Sequence, residues 1–203
     1  MESNIAPVRY DRESLLDFFN KLEPLKKDIV SFARTETFVI TVKRNELLDI
    51  VNQYDNCLFF VIKGFIRGYI VEEGKEITTS LNEEQRLIGK IRNPSVQQAL
   101  YNEYLQALED TELLVVPYNI IDGLYTHFPE TNALGRKLLA IHYNLSQERS
   151  ILSRIPSAEA RYRQFLANHP YINNRVSVKF LSSYLGMRLE TLSRVRSKMK
   201  QKD

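Results

Sequence analysis

The chain has 203 residues, with 28 basic and 25 acidic side chains and a net charge of +3, enough for one large or two small domains around an adequate core. No run of eighteen apolar residues occurs, which excludes a membrane-spanning helix, and the opening Met1-Glu-Ser-Asn lacks the basic-then-apolar pattern of a signal peptide. The single cysteine, Cys57, excludes an internal disulfide and a four-cysteine iron–sulfur or zinc site. The expectation is a cytoplasmic protein with no membrane partner, and Cys57 reads as a small buried hydrophobe.

The first thirty residues read as helix, because Leu15, Phe18, Phe19 and Leu22 recur at three- and four-residue spacing until Pro24 interrupts them. From Thr37 the period becomes two, with Phe38, Ile40 and Val42 alternating with polar residues. Short strands follow at 58–62, 65–71, 77–81, 87–91, 104–108 and 112–116, with turn signals at Lys63-Gly64 and Glu73-Gly74. Closely spaced strands of this kind predict an antiparallel roll or barrel. A short helix is expected at 118–127, and Pro129 opens a longer one reaching about Ile155.

That long helix carries Leu134, Leu138, Ile141, Leu145, Glu148, Leu152 and Ile155 at alternating spacings of four and three. The spacing is that of a coiled-coil seam, and it also suits an amphipathic helix packed on its own core. A second apolar line runs through Leu139, Tyr143 and Ile151. One line packs on the roll and the other meets a twin helix. The heptad line is assigned to the twin, as the seam of a parallel homodimer.

Pro156 ends the helix and Ser157 is a natural N-cap for the next, at 158–168, whose apolar face is Tyr162, Phe165 and Leu166. Ser177 can cap a further helix. The segment from 178 to 199 then reads as a helix-turn-helix. Leu181, Leu185, Met187, Leu192 and Val195 seal two short helices together, and Gly186 sits where the turn between them folds sharply. Residues 157–203 hold ten basic and three acidic side chains, whereas the rest of the chain is net acidic. That asymmetry points a basic module at a polyanion.

The order helix, roll, long helix, helix-turn-helix resembles the cyclic-AMP receptor and fumarate–nitrate regulator (Crp/Fnr) superfamily of bacterial transcription factors. The residues that carry the likeness are Leu58-Phe-Phe-Val-Ile-Lys-Gly64-Phe-Ile-Arg67, Gly74-Lys-Glu-Ile-Thr78, Ala107-Leu-Glu-Asp-Thr-Glu-Leu-Leu114 and Tyr184-Leu-Gly186 with Glu190-Thr-Leu-Ser-Arg194. The resemblance implies an α+β chain. Its parts would be a cyclic-nucleotide-binding-like roll at 1–130, a dimerisation helix at 131–156 and a DNA-binding module at 157–203. It implies that Glu190, Thr191 and Arg194 read bases. Residues 190 and 194 project from one helical face, arginine can hold guanine O6 and N7 bidentately, and a carboxylate can accept from cytosine N4. The simpler alternative for this pair is an i,i+4 surface ion pair. Arg188, Leu189, Ser193, Arg196 and Lys198 complete the expected DNA surface, with Lys200, Arg175 and Lys179 as further phosphate contacts.

Three departures bound what is inherited. Relatives that bind cyclic AMP use a Gly–Glu pair and a downstream Arg–Ser or Arg–Thr pair. Here Gly89 is followed by Lys90, and Tyr101 and Asn102 stand at the second place. No Arg or Lys occurs from residue 93 to 135, so a cyclic phosphate would find few cations beyond Lys90 and Arg92. One cysteine cannot hold the cluster of oxygen-sensing relatives, and His127, His142 and His169 read as ordinary partly exposed side chains. A β-hairpin wing does not follow the recognition helix within the 203 residues.

Catalysis is not expected. No histidine lies between residues 37 and 116, and neither a Gly-rich phosphate loop nor a Ser/His/Asp arrangement occurs. No cofactor or metal is expected. The expected partners are double-stranded DNA and a second copy of the chain. RNA polymerase and an unidentified small-molecule effector in the roll are further partners the resemblance allows, and effector control is the alternative to control without cyclic AMP.

Overall fold

A computed structural model describes residues 12–48, 54, 56–90 and 101–200. Two helices, α1 (Arg12–Leu22) and α2 (Lys27–Ala33), precede eight strands. These are β1 (Phe38–Val42), β2 (Leu47–Leu48), β3 (Cys57–Lys63), β4 (Ile66–Glu72), β5 (Lys75–Asn82), β6 (Leu87–Ile88), β7 (Tyr104–Ala107) and β8 (Thr111–Pro117). Five helices follow: α3 (Tyr118–His127), α4 (Thr131–Arg154), α5 (Ala158–Asn168), α6 (Val178–Tyr184) and α7 (Leu189–Lys200), with one 3₁₀ turn at Ile172–Asn174. Among the described residues no helix is long and apolar enough to cross a membrane.

The strands form two four-stranded antiparallel sheets, ordered β1-β8-β3-β6 and β2-β7-β4-β5. Phe59, Val61, Leu113 and Val115 of the first sheet face Ile66, Leu105 and Ala107 of the second, and all seven are buried. Phe60, Leu114 and Val116 face the other way, against Leu15 and Phe18 of α1. The first sheet is therefore covered on both faces, which is why residues 58–62 read as an unbroken apolar run rather than an alternation. Gly64, at φ +100°, makes the turn into β4 where a Cβ would run into Thr111. Cys57 is half-buried against the roll core, and burial raises its thiol pKa.

The roll does not stop at its own interior. Phe65 and Leu108 join a second cluster with Leu152 of α4, Tyr162 and Phe165 of α5, Ile172, Val176, Leu181 and Leu185, and Leu192 of α7. Roll, long helix and C-terminal helices thus share one buried apolar body. A β-bulge sits at the joint. Gly68 pairs with Ser80 and Tyr69 with Thr78, leaving Thr79 as the extra residue of β5. The disrupted ladder gives its groups to other elements. The Thr78 N–H donates to Ser183 Oγ of α6 at 2.9 Å, and the Thr79 carbonyl accepts from Arg149 NH1 of α4 at 3.2 Å.

Beside the bulge, Arg175 donates through NH1 and NH2 to both Glu84 oxygens at 2.8 Å, through Nε and NH2 to the two Glu109 oxygens at 3.0 and 2.8 Å, and to the Gly64 carbonyl at 3.0 Å. Partial burial would raise the Glu84 carboxyl. The Arg175 guanidinium, together with backbone N–H groups including that of Gly64, outweighs burial and holds it at about 2, below its ordinary 4.5. A depressed carboxyl pKa adds stability that is complete above the unfolded value and fades as pH falls toward the folded one. Urea unfolding followed by circular dichroism is therefore expected to show an Arg175→Gln variant less stable than the parent, with the gap fully present above about pH 4.5 and narrowing as pH falls toward 2. A gap that does not narrow over that range would contradict the pairing.

Candidate nucleic-acid interface

Ser157 and Ser177 cap α5 and α6 as their positions predict, accepting from Ala160 N and Phe180 N at 3.3 Å each. After α6 the chain turns at Gly186, φ +60°, where Gly186 N–H donates to the Ser183 carbonyl and Met187 N–H to that of Ser182. Arg161 braces this turn. Its NH1 donates to the carbonyls of Leu185 and Gly186 at 2.6 and 3.0 Å, and its Nε and NH2 to Ile155 at 3.2 and 2.7 Å. One guanidinium thus ties the bend after α4 to the turn between α6 and α7.

Helix α7 then presents two unlike faces. Leu192 is fully buried, and Val195 and Met199 pack around it. Glu190 and Arg194 are exposed on the opposite side, Leu189 and Ser193 are also exposed, and Thr191 and Arg196 are half-buried. The backbone carbonyl of Arg188, just before the helix, accepts from Thr191 N and Leu192 N, and the Arg188 side chain is exposed. Arg194 does not form the i,i+4 ion pair. Its Nε donates to the backbone carbonyl of Glu190 at 3.3 Å, and no ion pair joins the two side chains among the described residues. The Glu190 carboxylate and the outer nitrogens of Arg194 are thereby left facing solvent on one helical face.

The other expected phosphate contacts separate into two groups. Lys198 Nζ lies 2.7 Å from Glu159 of α5, which also accepts from Arg163. Arg175 is engaged with Glu84 and Glu109 as described. Both are expected at DNA; in the free chain Arg175 is bound to roll carboxylates, whereas Lys198 keeps 58% of its side chain exposed beside Glu159. Arg188, Arg194, Arg196 and Lys200 remain along α7.

The long helix divides its two apolar lines unequally between the chain's own core and solvent. Leu134 and Leu152 are buried, and Leu138, Ile141, Leu145, Glu148 and Ile155 are half-buried against the rest of the same chain. Leu152 belongs to the shared cluster, and Glu148 accepts from Asn168 Nδ2 at 2.8 Å and lies 3.1 Å from His169 Nε2. His169, expected to be an ordinary partly exposed histidine, has only 11% of its side chain exposed. The line left open is Leu139, Tyr143 and Ile151, at 55%, 61% and 57% exposure. A heptad spacing names a stripe but not its partner, and here Leu152 and Ile155 of that stripe pack in the chain's own core.

Of the expected effector positions, Gly89 lies against Cys57 and Leu58 just after β6, and the Lys90 carbonyl accepts from the Tyr118 hydroxyl at 2.9 Å. Tyr101 and Asn102 are exposed ahead of β7, on the other sheet. Residues 91–100, with Arg92 among them, lie outside the described residues. A polar cavity of about 30 Å³ opens between β5, α4 and α6, lined in part by Arg86, Glu148, Arg149, His169 and Tyr184. Burial pushes the Tyr184 hydroxyl up to about 12. The space suits one or two waters. Sequence reasoning passed over Arg67, which is 1% exposed and lies between the roll and α6. Arg67 follows Ile66 in a strand whose first four residues are all buried, and an arginine's residue type gives no sign of burial.

No family model matches the chain. It is 24% identical over 169 residues to the anaerobic regulatory protein of Haemophilus influenzae, an alignment covering 76% of this chain and 63% of that protein. The chain thus spans less than two thirds of the length of that curated relative. Among solved structures, FixK2 from Bradyrhizobium japonicum superposes with a TM-score of 0.66 at 18% identity, covering 82% of this chain and 85% of that one. A protein from Eubacterium rectale described as a transcriptional regulator of the crp/fnr family gives a TM-score of 0.66 at 18% identity, over 92% of this chain and 88% of the other. The curated relatives carry the names of regulators rather than enzymes. With a two-sheet roll, a long helix and a paired helix module in the same order, this chain is homologous, in sequence and in fold, to the Crp/Fnr superfamily of transcription regulators.

Proposed function

We propose that the chain is a homodimeric, sequence-specific DNA-binding transcription regulator that acts without cyclic AMP. The observation that carries this reading is the outer face of α7, where Glu190, Ser193 and Arg194 stand exposed on a helix whose other face is sealed by Leu192. A helix of this width and polarity fits the major groove, with Arg194 bidentate to a guanine and Glu190 accepting from a cytosine amine. Arg188, Arg196 and Lys200 supply phosphate contacts that carry no sequence information. Lys198 joins them only by leaving Glu159.

The dimer forms through the open line of α4. Leu139, Tyr143 and Ile151 are large apolar side chains left in water by the isolated chain, and twin helices pairing along them would bury that stripe. Two recognition helices would then enter successive major grooves about 34 Å apart on a near-palindromic site. Control without cyclic AMP follows from the chemistry at the ligand positions. Gly89-Lys90 and Tyr101-Asn102 lack the carboxylate and guanidinium that would take ribose and phosphate.

Two measurements test the reading. In binding assays on a selected duplex and on random duplex, Arg194→Ala is expected to cost about 1–3 kcal/mol on the selected site and to relax one base position per half-site. Arg188→Ala is expected to weaken both duplexes alike and to lower the salt slope by about one. Equal losses on both duplexes for both variants would refute base reading by Arg194. In sedimentation equilibrium, Ile151→Asp is expected to yield a folded monomer, and a folded dimer would move the interface elsewhere.

A further inference from the structure

The helix-turn-helix is fastened to the roll at both ends of α6, through groups unrelated to DNA chemistry. At its start, Arg175 lies two residues before the cap Ser177 and reaches Glu84, Glu109 and Gly64 of the roll. Along its body, the Arg67 guanidinium lies 4.0 Å from the centre of the Phe180 ring and 4.5 Å from that of Tyr69. Its Nε donates to Thr78 Oγ1 at 2.9 Å, and its NH1 to Glu76 at 2.7 Å and to Gln106 at 3.3 Å. Ser183 closes the set by accepting from the bulge N–H of Thr78.

A guanidinium with 1% of its side chain exposed is tolerable because its charge is paired and both ring faces are apolar and quadrupolar. Lifting α6 away would uncover that charge together with Phe65 and Leu108. The docked arrangement is therefore a seat rather than a passing encounter. It leaves Leu189, Glu190, Ser193 and Arg194 of α7 exposed, so the seat does not cover the reading face. The long helix is held to the same body by Leu152 and by the Arg149 bond to Thr79. Stalk and reading helix are consequently fixed with respect to one another within each protomer.

We propose that Arg67 and Arg175 are positioning residues that set the spacing between the two half-sites of the operator, by seating each reading helix rigidly on its roll. This rests on the dimeric DNA-binding reading above. One inserted base pair moves the second half-site by roughly 3.4 Å along the axis and roughly 34° around it. A rigid pair of reading helices cannot follow that displacement, whereas a loosened pair can. The geometry of simultaneous engagement, not the strength of either contact, then decides the affinity.

The test uses the full chain and a duplex selected by it from a random-sequence pool. Affinity is measured on that duplex, on versions with one or two base pairs inserted at the centre, and on an isolated half-site. The parent is expected to lose about tenfold or more per insertion. Arg67→Gln and, separately, Arg175→Gln are expected to bind the unaltered duplex more weakly. Their insertion penalty should shrink to about threefold or less, with half-site affinity unchanged. A general structural defect would lower half-site binding too, which separates it from lost positioning. If Arg67→Gln does not fold, the more exposed Arg175→Gln and Ser183→Ala give the answer. A parent indifferent to spacing, folded variants with the parent's penalty, or variants that bind more tightly because the seat restrains DNA binding would each overturn the proposal. A parent that selects no duplex at all would instead remove the DNA-binding reading, and this inference with it.

Discussion

The roll gives up Phe65 and Leu108 to a cluster that belongs mainly to the C-terminal helices, and the rest of the molecule follows from that exchange. The C-terminal helices are short, and α6 has only seven residues. A pair of such helices buries little apolar surface alone, and isolated helices of this length are marginal in water. Packing against Phe65, Leu108 and Leu152 supplies the missing wall. Strand β5 is the edge strand of its sheet, and at the bulge it offers the Thr78 N–H to α6 and the Thr79 carbonyl to α4.

Charge in the basic module is divided by task. Arg161 braces the turn and the bend after α4, Arg175 clasps two roll carboxylates, and Arg163 and Lys198 share Glu159. These cations are partnered within the protein, so they add less to the field felt by a distant polyanion than their number suggests. The field that remains comes from exposed Lys179 of α6, from Arg188 just before α7, and from Arg194, Arg196 and Lys200 along α7, where Glu190 is the one acidic residue. The positive character of the C-terminal stretch is thus in part a fastening system.

What could be read from sequence was local, and what could not be read was partnership. The caps at Ser157 and Ser177 and the turn at Gly186 depend on neighbours two to four residues away, so residue type and position predict them. The strands at β3, β4 and β8 follow from apolar runs and turn residues in the same way. Strand β2, with two residues, is too short to show a period. The two apolar lines of α4 have equivalent spacing in one dimension, and only the packed chain shows that Leu152 faces Tyr162 and Phe165 while Ile151 faces water. Arg175 and Lys198 were expected at DNA because a basic residue in a basic module has no other visible partner in sequence. Their carboxylates, Glu84, Glu109 and Glu159, lie 91, 66 and 39 residues away.

Whether roll and reading module form one body in solution is decided most directly by ¹⁵N relaxation of backbone amides across the full chain. The account predicts that amides in the roll strands and in α5, α6 and α7 report a common overall rotational correlation time, because Arg67, Arg175 and the shared cluster prevent independent tumbling on the nanosecond scale. A distinctly shorter correlation time for residues 157–200 than for the roll would contradict it, and would mean that the helix-turn-helix swings on the bend after α4 instead of riding on the sheet beneath it.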